Sequence, residues 1–419
     1  MRIILEIIGF LVIAGCIADL VHVDYTKPHK KVYQITKSYK ILLAVQAALL
    51  VLGLALILQS IIPAVLQFGE LSIGGKIAVV IRIVVLIIVV IIGGILYKTA
   101  ISPNGLIHFF VTHANPAGDG EKLIEKKQVW EEQYYLTSDV EFPSKYPHNY
   151  FDIYTRDEKL EEKRPVFLYA HGGGYVGGNK SNGDPNAMGI TGIIRMIKQL
   201  LDAGFTVIST DYALAPESRY PAPVHQMTEL IQYLQRKQEA YGLDMNRVVL
   251  GGGSAGAHIM AQFAVIQTNP DYAKEMGVKP VLEKGAIRAM YHGCALLDNE
   301  RFGKTSSKVV NFVFYQMGRT YFNVGVLEGN TQVLQSNIIC HVDENYPPSF
   351  ICDGNAGTFN AQAHDLEKRL NLLGVETKAI ILDEPGMDKM VHGFDTLENE
   401  QGRKCMEAMV AFVSSHADL

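Results

Sequence analysis

Two glycine-rich stretches carry side chains and amides suited to acyl transfer. The first is His171-Gly172-Gly173-Gly174-Tyr175. The second, further along, is Gly252-Gly253-Ser254-Ala255-Gly256. Attack on a carbonyl carbon needs a nucleophile, a base to deprotonate it, and backbone N–H groups aimed at the developing oxyanion. The second stretch has the G-x-S-x-G pattern, which sets a serine on a tight strand-to-helix turn. Its flanking glycines let strand and helix approach without Cβ clashes. The first stretch is a loop of bare amides that can complete an oxyanion site.

Both stretches follow apolar runs of strand type, 165–170 before His171 and 247–250 before the second glycine cluster. Residues 255–266 then read as a helix. Between the motifs lie a further buried-strand run, 205–210, and a helical stretch, 227–237. Downstream, 286–291, 349–352 and 377–382 read as strands, with helices near 361–373 and 402–414. At the front, 128–136 and 150–154 read as antiparallel edge strands. Strands alternating with helices predict an α/β fold with a mostly parallel, doubly wound sheet.

From roughly residue 128 to 419 the chain resembles the α/β-hydrolases, closest to the hormone-sensitive-lipase-like and related carboxylesterase families. Four stretches in matching order carry the likeness: 171–174, Asp211-Tyr212-Ala213-Leu214-Ala215-Pro216-Glu217, 252–256, and His392-Gly393-Phe394. The sequence departs from the family pattern at Ala213, which stands where Arg is usual. Gly253 stands where lipase-like members often carry Asp or Glu. The resemblance implies that Ser254 attacks the acyl carbon and that His392 takes its proton and returns it to the leaving alcohol. It also implies that the amides of Gly173, Gly174 and Ala255 hold the oxyanion, and that His171 orders the glycine loop. His258 and His225 read as packing or surface histidines.

The triad acid is not where the resemblance puts it. Aligned on Gly354, that place falls on Gly357. Asp353, at a strand's carboxyl end, is the favoured substitute. Asn355 could instead orient the imidazole without charge, and Asp298, after the preceding strand, is a third candidate. Asp383 and Asp388 read as surface loop charges.

The first hundred residues have a different character. Residues 77–97 contain one charge, Arg82, and as a helix would span roughly 31 Å at about 1.5 Å per residue, enough to cross a hydrocarbon core. Residues 41–59 are uncharged, with a possible extension to 66 past Pro63. Residues 3–21 form a weaker third candidate because they include Glu6 and Asp19. Between 3–21 and 41–59, the stretch 22–40 carries Lys27, Lys30, Lys31, Lys37 and Lys40 against Asp24, whereas the next loop, 67–76, has only Glu70 and Lys76. The positive-inside rule places the lysine segment in the cytoplasm, and two further crossings return the remaining chain to that side. A rival reading takes Ile13-Ala14-Gly15-Cys16 as a lipobox, with Cys16 lipidated outside.

These readings divide the chain into a transmembrane helical region (1–100), a linker that could form part of a lid (101–127), and the α/β-hydrolase domain (128–419). The stretch 297–344 is a further candidate cap. Net charge is −5, and no basic footprint points to nucleic acid. The five cysteines include no C-x-x-C pair and read as free thiols rather than a disulfide framework. No metal-ligand spacing or dinucleotide motif stands out, so neither cofactor nor metal is expected. The expected protein is a multi-pass membrane serine ester hydrolase facing the cytoplasm, acting on a small-molecule or lipid ester. Amidase or peptidase activity, or an inactive hydrolase-fold binding module, are the alternatives.

Overall fold

Alternating apolar segments build a nine-stranded sheet in this computed structural model, which describes residues 2–21, 32–105, 107, 125–160, 162–180, 191–383 and 388–419. The strands are β1 (Lys126–Trp130), β2 (Tyr134–Glu141), β3 (Tyr150–Thr155), β4 (Arg164–Ala170), β5 (Thr206–Thr210), β6 (Leu243–Gly253), β7 (Ile287–Gly293), β8 (Ser349–Asp353) and β9 (Thr377–Ile381). Their spatial order is β1-β2-β3-β5-β4-β6-β7-β8-β9. The pairs from β1 to β5 are antiparallel, and β5 through β9 are parallel. A parallel sheet covered on both sides needs strands apolar on both faces, and β4, β5 and β8 are buried along nearly their whole length.

One face packs Phe167, Val207, Val249, Tyr291 and Phe350 against the helices Thr191–Ala203 and Glu400–His416. The helices Ala222–Lys237 and Ala255–Thr268 pack on each other, and both contact β6. Successive strands run outward in opposite directions from β4. The crevice beside β4 and β6 is therefore the topological switch point, where open α/β sheets bind ligands.

Most expected elements appear within a few residues of their predicted bounds. The edge strand expected at 128–136 does not: it is two strands, β1 and β2, joined by a tight turn. Glu131 and Glu132 adopt φ of 50° and 68°, and the Gln133 amide donates to the Glu131 carbonyl at 2.8 Å. No Gly or Asn marks this turn, and the alternation of buried Trp130, Tyr134 and Leu136 runs across it. β1 begins at Lys126, inside the expected 101–127 linker, most of which lies outside the described residues. The candidate cap 297–344 contains the helix Lys308–Phe322 and two shorter helices, Thr331–Gln335 and Ile338–His341.

The chain divides into two compact units, Met1–His108 and Phe109–Leu419. The first contains helices Arg2–Val21, Val32–Leu66 and Ile73–Ile101. Within the latter two, Ala47–Leu66 and Ile73–Thr99 are long and apolar enough to cross a membrane. The lysine-rich segment is not all loop: residues 32–40 form the first turns of the second helix, and 22–31 lie outside the described residues.

The charges interrupting the apolar helices face one another. Arg82 Nε donates to Glu6 Oε1 at 2.7 Å, and Arg82 Nη2 donates to Ser60 Oγ at 2.8 Å and to Glu6 Oε2. Ser60 Oγ donates to Glu6 Oε2 at 2.8 Å. Nearby, a Cβ on Gly9 would lie 2.7 Å from the Gly53 carbonyl oxygen, so the first two helices meet where neither has a side chain.

Candidate active site

Ser254 sits at the end of β6 with φ 51° and ψ −117°, a conformation that L side chains seldom adopt. Its amide donates to the Gly293 carbonyl at 2.8 Å, tying the turn to β7. The neighbouring glycines are sterically required. A Cβ on Gly256 would lie 2.2 Å from the Ala170 carbonyl oxygen and 2.3 Å from that of His171. One on Gly252 would lie 2.6 Å from the Ala257 nitrogen. The helix Ala255–Thr268 therefore starts directly against the end of β4, and its N-terminal amides point into the crevice.

The loop after β4 lies over this turn, with the Cβ position of Gly172 only 3.5 Å from Ser254 Cβ. Gly173 and Gly174 adopt φ of 128° and 60°. Among the described residues, the amides of Gly173, Gly174 and Ala255 donate to no protein acceptor. His171 is buried, stacks on Tyr212 at 4.2 Å, and contacts the Gly172 carbonyl oxygen through Nδ1 at 2.7 Å. Burial pulls its pKa down to about 4, so it is neutral and structural at pH 7. Residues 211–217 fasten the loop from behind. Asp211 Oδ1 accepts from the Lys180 amide at 2.6 Å, and the Tyr212 hydroxyl donates to the His171 carbonyl at 2.9 Å.

His392 Nε2 lies 2.9 Å from Ser254 Oγ. Its ring meets Phe314 and Phe359 edge-on at 5.4 Å and 5.2 Å. These neighbours desolvate the imidazole and hold its pKa down to about 4, although one edge still reaches the cleft. The segment carrying it is pinned by Asn355, whose Oδ1 accepts from the Met390 amide at 2.9 Å and whose own amide donates to the Met390 carbonyl at 2.9 Å. Asn355 thus holds the backbone two residues before His392.

Asp353, at the end of β8, is fully buried and lies behind His392. Its Oδ1 accepts from the Gly354 amide at 2.8 Å and from the Thr358 hydroxyl, and Thr358 Oγ1 lies 3.1 Å from His392 Nδ1. Burial raises the Asp353 pKa to about 7, against the lowering effect of these hydrogen bonds. Asp298 is engaged elsewhere, accepting from the Glu300 amide at 3.0 Å and from Arg301 Nε at 2.7 Å. Asp383 accepts from Asn360 and His364 at the surface, and Asp388 is exposed. His258 is buried against the Ser336 carbonyl, and His225 is half-buried beside Tyr146.

Two participants went unread in the sequence, Thr358 and Asp395. Asp395 is buried, accepting from the Tyr291 hydroxyl and from Cys294 Sγ at 3.2 Å, while Cys294 Sγ accepts from the Gly393 amide at 3.2 Å. It holds the turn after His392, and burial raises its own pKa. An acid so soon after His392-Gly393-Phe394 was the available signal. Ligand atoms of Cys294, Asp353 and His392 lie within 4.8 Å of one another, close enough for a cation in principle, but each already serves the hydrogen bonds described.

A cavity of about 920 Å³ opens beside His392. The helix Lys308–Phe322 lines it with Val309, Val310, Val313 and Phe314. Met317 on the same helix covers the glycine loop, because a Cβ on Gly174 would lie 2.4 Å from its Sδ.

The sheet order, the serine turn after β6 and the histidine after β9 define an α/β-hydrolase fold. Solved structures share it. Esterase B from Lactobacillus rhamnosis superposes with a TM-score of 0.55 at 16% identity, covering 70% of this chain and 88% of that one. A bacterial heroin esterase superposes with a TM-score of 0.52 at 18% identity, covering 75% and 90%. The family model BD-FAE matches residues 151–370, and the chain belongs to that family. Esterase LipC from Mycobacterium tuberculosis is 22% identical over 271 residues, 64% of this chain and 62% of that protein. The chain spans about three fifths or less of the length of the curated relatives it matches most strongly.

Proposed function

We propose that this protein is a membrane-anchored serine ester hydrolase. The observation that carries the reading is the 2.9 Å contact of His392 Nε2 with Ser254 Oγ, beside three amides that, among the described residues, donate to no protein acceptor. Ser254 Oγ attacks the acyl carbon as His392 takes its proton. The amides of Gly173, Gly174 and Ala255 stabilise the oxyanion, and removing one such donor typically costs about 10² to 10³ in kcat. The tetrahedral intermediate collapses, the C–O bond to the alcohol breaks, and His392 returns the proton to the leaving oxygen. Water then repeats the sequence on the acyl-enzyme and frees Ser254. Asp353 supplies the negative charge behind the imidazole. These steps require no cofactor.

An apolar helix roofing the cavity suits a short or medium acyl chain, and several relatives bear the names esterase or acetyl esterase. The two long apolar helices support membrane anchoring, with Glu6 and Arg82 compensating each other inside the bundle. The lysines ahead of Ala47–Leu66 favour a cytoplasmic catalytic domain. The test is a series of p-nitrophenyl esters from acetate to decanoate beside matched anilides. Turnover of the esters with little anilide cleavage is expected. Equal or better anilide cleavage would move the assignment to an amidase.

A further inference from the structure

We propose that Thr358 is a positioning residue that fixes the tautomer of His392, linking the Asp353 carboxylate to the imidazole through its hydroxyl. The proposal rests on the serine-hydrolase reading and adds a part to it. Asp353 and His392 lie close together, yet the hydrogen bonds from each run to Thr358 rather than to one another.

Proton counting gives the direction of the chain. A hydroxyl carries one proton. An ionised Asp353 can only accept, so the Thr358 proton points to Oδ1. The lone pairs left on Thr358 Oγ1 face His392 Nδ1 at 3.1 Å, where only an N–H satisfies them. The neutral ring therefore carries its proton on Nδ1. Nε2 presents a lone pair to Ser254 Oγ at 2.9 Å, the state a general base requires. A protonated Asp353 permits the reverse order: the carboxyl O–H donates to Thr358, Thr358 donates to Nδ1, and Nε2 carries the proton. In that state His392 cannot accept from Ser254.

The surroundings give this switch a place to act. Thr358 is buried, and among the described residues no hydrogen bond reaches the buried Asp353 Oδ2. The titratable groups facing Asp353 are Cys294 after β7, and His392 and Asp395 on the histidine segment. From that side of the sheet, the Leu382 amide, just past β9, donates to the Asp353 carbonyl. None of these groups is cationic at neutral pH, in keeping with an Asp353 pKa raised to about 7 while that of His392 is held near 4. The acid limb of the activity profile would then report Asp353 acting through Thr358, rather than the imidazole.

The test compares full-length wild type, Thr358→Val and Thr358→Ser in detergent micelles. Thr358→Val keeps the shape and removes the hydroxyl. It should lower kcat by about 10² to 10⁴, the range set by loss of a triad acid's influence, while KM changes less than about threefold. Thr358→Ser should recover kcat to within about tenfold of wild type, with the acid limb near pH 7 retained. Wild-type turnover in Thr358→Val, or equal impairment in both variants with unchanged melting temperature, overturns the proposal. Nitrogen-15 shifts of the His392 ring, assigned against His392→Gln, give a readout independent of turnover. Wild type should show Nδ1–H, and Thr358→Val should lose that preference. A wild-type ring protonated on Nε2 at pH 8 also overturns the proposal. An ester-inactive wild type that still shows Thr358-dependent Nδ1–H would instead refute the esterase reading alone.

Discussion

Substituting Asn for Asp353 removes an ionisation and almost no volume. The carboxyl is buried at the end of β8, and burial raises its pKa from 3.8 to about 7. A group whose folded pKa lies above its unfolded value contributes stability that is complete below about pH 4 and is lost as pH rises through about 7. At 1.36 kcal/mol for each pH unit, that interval corresponds to about 4 kcal/mol, most of it falling between pH 5 and 8. An amide does not ionise. Asp353→Asn should therefore gain stability over wild type as pH rises, by several degrees of melting temperature at pH 8 and much less at pH 5. Its turnover should fall by about 10² to 10⁴, because the imidazole loses the charge behind it. Tryptophan and tyrosine fluorescence melts at the two pH values, in one detergent, measure the first effect, and ester hydrolysis measures the second. A stability difference that does not change between pH 5 and 8 would refute the reasoning, since the carboxyl would then be in one protonation state throughout.

Three other changes address separate parts of the molecule. Gly256→Ala should both destabilise the domain by a few kcal/mol and abolish ester turnover, because its Cβ would strike two β4-end carbonyls; a folded, active variant would contradict the packing described. Val313→Trp, filling the cavity beside His392, should lower kcat/KM for decanoate relative to acetate by about tenfold or more; an unchanged ratio would place the acyl chain elsewhere. Glu6→Ala should lower the melting temperature of the helical unit, because the half-buried Arg82 loses its carboxylate partner, whereas the double change with Arg82→Met should recover part of the loss.

Much of this site could be read from the sequence because its parts are local. A strand, a glycine turn and a helix are contiguous around Ser254, so residue types at fixed spacing specify both geometry and chemistry. The acid arm is different. Asp353, Asn355 and Asp298 all follow strands, and only the packing shows that Asn355 holds the Met390 backbone and Asp298 holds Arg301. Thr358 gives no signal of its own, since its role depends on two loops meeting. The β1–β2 turn escaped notice because two glutamates adopt positive φ without the usual glycine. In the helical unit, Glu6 reads from sequence as a mark against the first apolar helix, because its partner Arg82 lies far along the chain.

Covalent labelling of the full-length protein in membranes by a fluorophosphonate, with wild type set beside Ser254→Ala, tests the account most directly. An activated serine attacks the phosphorus, displaces fluoride and remains phosphonylated, whereas an ordinary serine reacts far more slowly. The account predicts rapid labelling of wild type, located on Ser254 by peptide mass, and none of the variant. A correctly folded wild type that stays unlabelled, or a variant that labels as fast as wild type, would contradict it.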